Sequence, residues 1–230
     1  GMYIVIGGAG VVGGGIAQIM RETHDVVVVD IDEARCAQIY AELGVLTVHG
    51  SATDLGVLQQ AGIDRADAAL ALMRNDADNI TFTLLARQFG VTQCVVRMRD
   101  SRYRDAYDLA GATYIISELD LYLHELVLAV ERPRARRIAE IGGGEAEMLA
   151  VQVPEGAAAA GLTVREIAQR PSFPQSGVIA GILDKERKLT IPRGDAVVPG
   201  DSEVLVVVKA EDVADVVDCL TMESRGGRKT

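Results

Sequence analysis

Ten residues near the start of the chain, Ile4-Val-Ile-Gly-Gly-Ala-Gly-Val-Val-Gly13, carry the strongest chemical signal. Gly8, Gly10 and Gly13 stand in the spacing GxGxxG, directly after an apolar run and at the start of a helical pattern. Gly8 permits a tight turn, and Gly10 lets backbone come close to a pyrophosphate. Gly13 lets the helix pack on the sheet, and the helix N-terminus offers free N–H donors to the anion. Asp30 closes the second apolar run about 20 residues further on, where a carboxylate binds ribose hydroxyls and disfavours a 2′-phosphate. The competing reading of the same residues is a glycine-rich turn with Asp30 as a helix cap.

No reaction centre stands beside this fingerprint in the sequence. His24, His49 and His124 lie in a loop, at a strand end and in a long helix, and no Ser/His/Asp or paired-acid spacing can be argued. The cysteines Cys36, Cys94 and Cys219 are far apart and form no CxxC, so neither a disulfide framework nor a zinc site is expected. Asp195, Asp201 and Glu203 could hold a cation, or form a solvated acidic loop. A nucleotide site without evident chemistry points to sensing.

The elements that must position these residues follow from hydrophobic period. Strands are expected at 3–6, 26–29, 45–48, 68–72, 95–98 and 114–116, with helices at about 33–43, 55–61 and 80–89 and another after the glycines. Continuous β-branched runs indicate strands buried on both faces, hence a doubly wound α/β lobe with a parallel Rossmann-like sheet. Residues 119–130 read as one amphipathic helix, ended or kinked at Pro133. Gly142-Gly-Gly144 then reads as a boundary between a first domain of residues 2–141 and a small α+β domain of residues 146–222. In the latter, 148–153, 177–183 and 204–208 are expected strands, and 162–168 and 210–220 short helices. Residues 223–230 are polar, end in basic residues and are expected to fray. Gly1 ahead of Met2 reads as a tag remnant.

Composition narrows the function classes. The 230 residues carry 33 acidic and 23 Lys plus Arg side chains, a net charge of −10, which argues against general phosphate attraction to nucleic acid or an anionic membrane. No apolar run approaches the ~20 residues of a membrane span, and no signal-peptide pattern is present, so a cytoplasmic protein without direct membrane insertion is expected. Two basic clusters, Arg97/Arg99/Arg102/Arg104 and Arg132/Arg134/Arg136/Arg137, read either as solvated or ion-paired faces or as anion or subunit contacts.

Beyond the fingerprint, several separated segments resemble the RCK (regulator of K⁺ conductance) family of TrkA type. Gly50-Ser-Ala-Thr-Asp54, Leu58 and Ala61-Gly-Ile63 follow the third strand; Asp76-Ala-Asp-Asn79 opens a helix; Val96-Arg97 ends the fifth strand. Leu109-Ala-Gly-Ala112, then Glu166-Ile167, Ile191-Pro192 and Pro199-Gly-Asp201, continue the likeness to about Leu220. The resemblance implies a lobe that binds NAD(H), ATP or ADP at the C-terminal edge of its sheet. It also implies homodimers joined through a crossover helix, here 119–130, assembling into a ring beneath a membrane potassium-transporter subunit, and so peripheral to the inner face of the membrane. By position, Gly8, Ala9, Gly10, Val11, Val12 and Gly13 would hold phosphates, and Asp30 with Ile31 the ribose. Ser51 and Ala52 would meet the adenine, Met73 and Arg74 would flank the ligand, Arg97 would lie near its phosphates, and Glu118 stands where some relatives place an intersubunit acid near the nucleotide or a cation. Ser51 stands where the family usually has Asp, and Val11 where some ATP-binding relatives have Arg, which leans the ligand toward NAD(H) or a diphosphate. The alternative function is a small NAD-dependent oxidoreductase.

Overall fold

The structure, a computed structural model, describes residues 1–223. Six strands form the first sheet: β1 (Tyr3–Gly7), β2 (Asp25–Asp30), β3 (Leu46–His49), β4 (Ala68–Ala71), β5 (Gln93–Met98) and β6 (Tyr114–Ser117). Their order is β3-β2-β1-β4-β5-β6, and every neighbouring pair is parallel. The helices α1 (Val11–Met20), α2 (Glu33–Leu43), α3 (Leu55–Gln60), α4 (Asp76–Gln88) and α5 (Arg104–Ala110) complete the doubly wound unit.

The run of apolar residues in each strand has a direct cause. Ile4, Ile6, Val26, Val28 and Leu70 pack on one face with Ala17 of α1 and Ile39 of α2. Val5, Val27, Val29 and Ala69 pack on the other with Phe82 of α4 and Tyr107 of α5. Side chains alternate across a strand, so a strand covered on both faces has no position left for a polar residue. Several helix starts are fixed by side chains: Asp32, Asp54 and Asn75 accept backbone N–H groups at the N-termini of α2, α3 and α4.

The chain passes from β3 back to β4 on the far side of β1, which leaves a crevice where the winding direction changes, at the C-terminal ends of β1 and β4. Gly8 turns the chain there with φ +112°, and a Cβ on it would lie 2.9 Å from the Leu72 carbonyl oxygen. Gly13 has the opposite constraint: a Cβ would come within 1.8 Å of the Gly8 carbonyl oxygen. The helix can follow the turn this closely because neither residue carries a side chain.

The chain divides into two compact units, one ending at Tyr122 and one starting at Leu123, so the division falls within α6 (Glu118–Glu131). The second unit holds β7 (Ala135–Ile141), β8 (Ala146–Val153), β9 (Val178–Leu183), β10 (Leu189–Thr190) and β11 (Ser202–Lys209), with α7 (Val164–Ala168) and α8 (Val213–Thr221). These strands form an antiparallel sheet in the order β10-β9-β11-β8-β7. Leu149, Val151, Val204, Val206 and Val208 bury one face against Val216 and Leu220 of α8.

Two expectations differ from the structure. Gly142, Gly143 and Gly144 do not separate domains; with φ of 65°, 68° and 97° they turn the hairpin between β7 and β8. The helix ends at Glu131, just ahead of Pro133 as expected, but the arginine-rich stretch after it, for which no strand was expected, is the start of β7. At the C-terminus Glu223 pairs in an isolated bridge with Ala157; the rest of the expected frayed tail, 224–230, lies outside the described residues. Among the described residues no helix is long and apolar enough to cross a membrane.

Candidate functional site

The crevice at the sheet edge is a cavity of about 1180 Å³ built at the C-terminal ends of all six strands of the first unit. The loop after β1 contributes Gly8, Ala9 and Gly10, and the first turn of α1 contributes Val11 and Val12. The end of β2 adds Asp30 and Ile31, the loop after β3 adds Ser51 and Ala52, and the loop after β4 adds Met73 and Arg74. Arg97 and Glu118 close the far side. Of the residues expected at the site, Gly13 alone does not line it: it is buried beneath the turn, where its missing side chain lets α1 approach.

Asp30 is held in place before any ligand arrives. Its Oδ2 accepts from Ala9 N–H at 2.6 Å and its Oδ1 from Asp32 N–H at 2.8 Å. A carboxylate has about four acceptor positions, so two bonds leave capacity for a pair of hydroxyls. A Cβ on Gly10 would meet nothing within 4 Å, so the backbone there is open to a close approach. Val11 at the first turn of α1 is 96% exposed and Ile31 is 72% exposed, two apolar side chains facing the crevice without cover. The Ser51 hydroxyl is 2.7 Å from the Thr53 hydroxyl and accepts from Thr53 N–H at 3.2 Å, which orders the loop after β3.

The opposite wall is cationic. Arg74, Arg97 and Arg99 all line it, and Arg99 donates to the Arg74 carbonyl oxygen at 3.1 Å. Arg97 forms an ion pair with Glu118, the first residue of α6. Three guanidinium groups opposite a glycine turn and a helix N-terminus make a pocket suited to a ligand carrying several phosphate charges. Asp30 facing that pocket suits the polyol of a ribose. The Asp100 carboxyl, just past Arg99, is held at about 2 by its hydrogen bonds from the Arg102 side chain and backbone.

Sequence reasoning left Arg99 in an undifferentiated basic cluster; its alternation with Arg97 along β5 and the following loop was the available signal. It also gave no role to a buried polar group behind the wall. Asp76 is 7% exposed and Asn79 and Tyr107 are fully buried, and all three bond to the loops that carry Met73, Arg97 and Arg99. The histidines take other positions: His24 accepts from Met2 N–H at 3.3 Å, and His49 Nε2 lies 3.1 Å from the Ile31 carbonyl oxygen. Cys36 is buried under Asp30, and burial pushes its thiol pKa up, the Asp30 charge adding to the effect. Among the described residues no cluster of three or more His, Cys, Asp or Glu could hold a metal ion.

Comparison with known proteins agrees with this architecture across both units. Residues 4–118 match the TrkA-N domain family and residues 148–220 match the TrkA-C domain family. The chain is 34% identical over 217 residues to a Trk system potassium uptake protein TrkA homolog of Archaeoglobus fulgidus. That match covers 92% of this chain and 48% of the relative, so the chain spans about half the length of that protein. A homolog of the same description from Pyrococcus horikoshii is 30% identical, with 94% of this chain and 95% of the relative covered. The GsuK RCK domain and the GsuK channel bound to NAD each superpose with a TM-score of 0.63 at 21% identity. They cover 98% of this chain and 48% and 40% of theirs, and they share its fold. With both domain families matched in order, and a relative matched along nearly its whole length, the chain belongs to the TrkA family.

Proposed function

We propose that this chain is a nucleotide-sensing regulatory subunit of a potassium uptake system, acting on the cytoplasmic side of a membrane-embedded transporter subunit. The observation that carries the reading is the convergence, in one crevice, of the glycine turn, the pre-ordered Asp30 and three arginines. The names of the relatives, Trk system potassium uptake proteins, support the transport role, and a structural neighbour solved with NAD supports the ligand class. Backbone from Gly8 to Val12 holds the phosphates, Asp30 the ribose and Ser51 with Ala52 the adenine, while Met73, Arg74, Arg97 and Glu118 complete the far wall. Exposed Val11 supplies no cation for a third phosphate, so NAD(H) or ADP fits better than ATP. Ligand binding shifts a conformational population and no bond is broken.

A homodimer is part of the same proposal. Leu119, Leu123, Leu126, Val127 and Val130 of α6 are each about half exposed or more, an apolar stripe at helical spacing that a second copy of α6 would cover. Dimers of this kind would build the ring that faces the transporter. Titration calorimetry with NADH, ADP and ATP tests the site: Asp30→Ala should weaken binding by about tenfold or more, the loss of a charge-assisted hydrogen-bond pair. Unchanged binding in that variant rejects the site assignment, and steady consumption of NADH with a substrate would favour the oxidoreductase reading. Light scattering of a Leu123→Glu/Val127→Glu variant tests the dimer, which should give way to monomers.

A further inference from the structure

The ladder between β4 and β5 ends at the Ala71–Val96 pair, where β4 itself ends while β5 runs on to Met98. Beyond that pair the two chains are joined by a side chain. Asn79 Oδ1 accepts from Met73 N–H at 2.9 Å, and its Nδ2 donates to the Met73 and Arg97 carbonyl oxygens at 3.1 Å each. The amide therefore stands in for the next rung of backbone hydrogen bonds, just past the end of β4. Behind it, Asp76 accepts from Arg99 N–H at 2.9 Å, Asp100 N–H at 3.0 Å and the Tyr107 hydroxyl at 2.7 Å. The Tyr107 oxygen is also 3.2 Å from the Arg97 carbonyl oxygen.

The addresses of these bonds matter more than their number. They fall on the backbone of Met73, Arg97 and Arg99, three residues whose side chains line the crevice, two of them with guanidinium groups. An arginine is long and flexible, so its reach toward an anion is set by where its Cα is fixed. We propose that Asp76, Asn79 and Tyr107 are positioning residues that set the cationic wall, making the site selective for phosphate-bearing ligands over the bare nucleoside. The inference rests on the nucleotide reading given above and adds a source for its selectivity.

The test compares ADP with adenosine, by calorimetry and by displacement, on the full chain. For Asn79→Ala and Asn79→Asp, ADP binding should weaken by about tenfold while adenosine changes by less than about twofold, the loss being confined to groups held out of register. Tyr107→Phe keeps the shape of the core and should weaken ADP by about threefold, which keeps the proposal testable if an Asn79 variant does not fold. The cycle of Asn79→Ala with Arg97→Gln should be non-additive, with the double variant within about twofold of Arg97→Gln alone. Equal loss of ADP and adenosine, or fully multiplicative losses in the cycle, would overturn the positioning role and leave a structural one. A wild-type chain that binds neither ligand would instead remove the nucleotide reading itself, and the inference with it.

Discussion

The two arginine clusters make an instructive pair, because they are alike in sequence and opposite in use. In the first unit, Arg97 and Arg99 line the crevice with Arg74. In the second, Arg132 pairs with Asp218, Arg136 with Glu203, and Arg137 lies within 3.5–3.7 Å of Glu125, Glu140 and Glu147. Arg137 is the extreme case, with a side chain only 6% exposed and an Nη2 that has no hydrogen-bond partner. The cause of the contrast is topological. A parallel sheet ends all its strands on one edge, so the loops gather there around a crevice. The antiparallel sheet gathers no such edge, and the carboxylates that meet its arginines come from α6, α8 and the strands β7, β8 and β11.

The contrast can be broken most severely at its geometric foundation. Gly13→Ala should cost the first unit more than about 3 kcal/mol, or prevent its folding, because the new methyl group overlaps the Gly8 carbonyl. Thermal unfolding and soluble yield would report it. A smaller effect belongs to the other side of the comparison: Arg137→Ala should destabilise the second unit by about 2 kcal/mol, through its buried stem and the three carboxylates left facing one another. Denaturant unfolding measures that loss. Arg99→Gln should do the converse, leaving stability within about 0.5 kcal/mol while ADP affinity falls about threefold to tenfold. If Arg99 proved structural and Arg137 dispensable, the division of labour between the clusters would be wrong.

The smallest effect concerns α7. Thr163 and Glu166 form a reciprocal capping box, and hydrogen bonds from the Thr163 backbone and hydroxyl lower the Glu166 pKa. A lowered folded-state value means stability that is present above the ordinary carboxyl value of 4.5 and lost as the pH falls through the lowered one. Glu166→Gln should therefore flatten the acid limb of the unfolding profile of the second unit slightly. An acid limb unchanged by the substitution would show that the box is open in solution.

The first unit was the more legible in sequence for the same reason that its loops gather at one edge. Strands covered on both faces leave unbroken runs such as 26–29, and a turn that admits no side chain leaves glycines at fixed spacing. Asp30 could be placed at the edge from the end of its strand, whereas Ser51, Met73 and Arg97 were placed there only by the family resemblance. β7 was illegible because most of its side chains are exposed and its strand character comes from pairing with β8, a partner beyond a glycine turn. Asn79 was visible as a residue and invisible as a bond, since nothing local announces that a helix side chain will close a gap between two strands.

That bond has a consequence for how such a site can change over generations. A rung of backbone hydrogen bonds is supplied alike by every residue except proline, so few single substitutions alter it. The rung between Met73 and Arg97 is made by the side chain of Asn79 and can be rewritten by a single substitution. On the positioning role proposed above, one substitution at Asn79 would therefore change the wall of the crevice while the ladders of the sheet stay as they are.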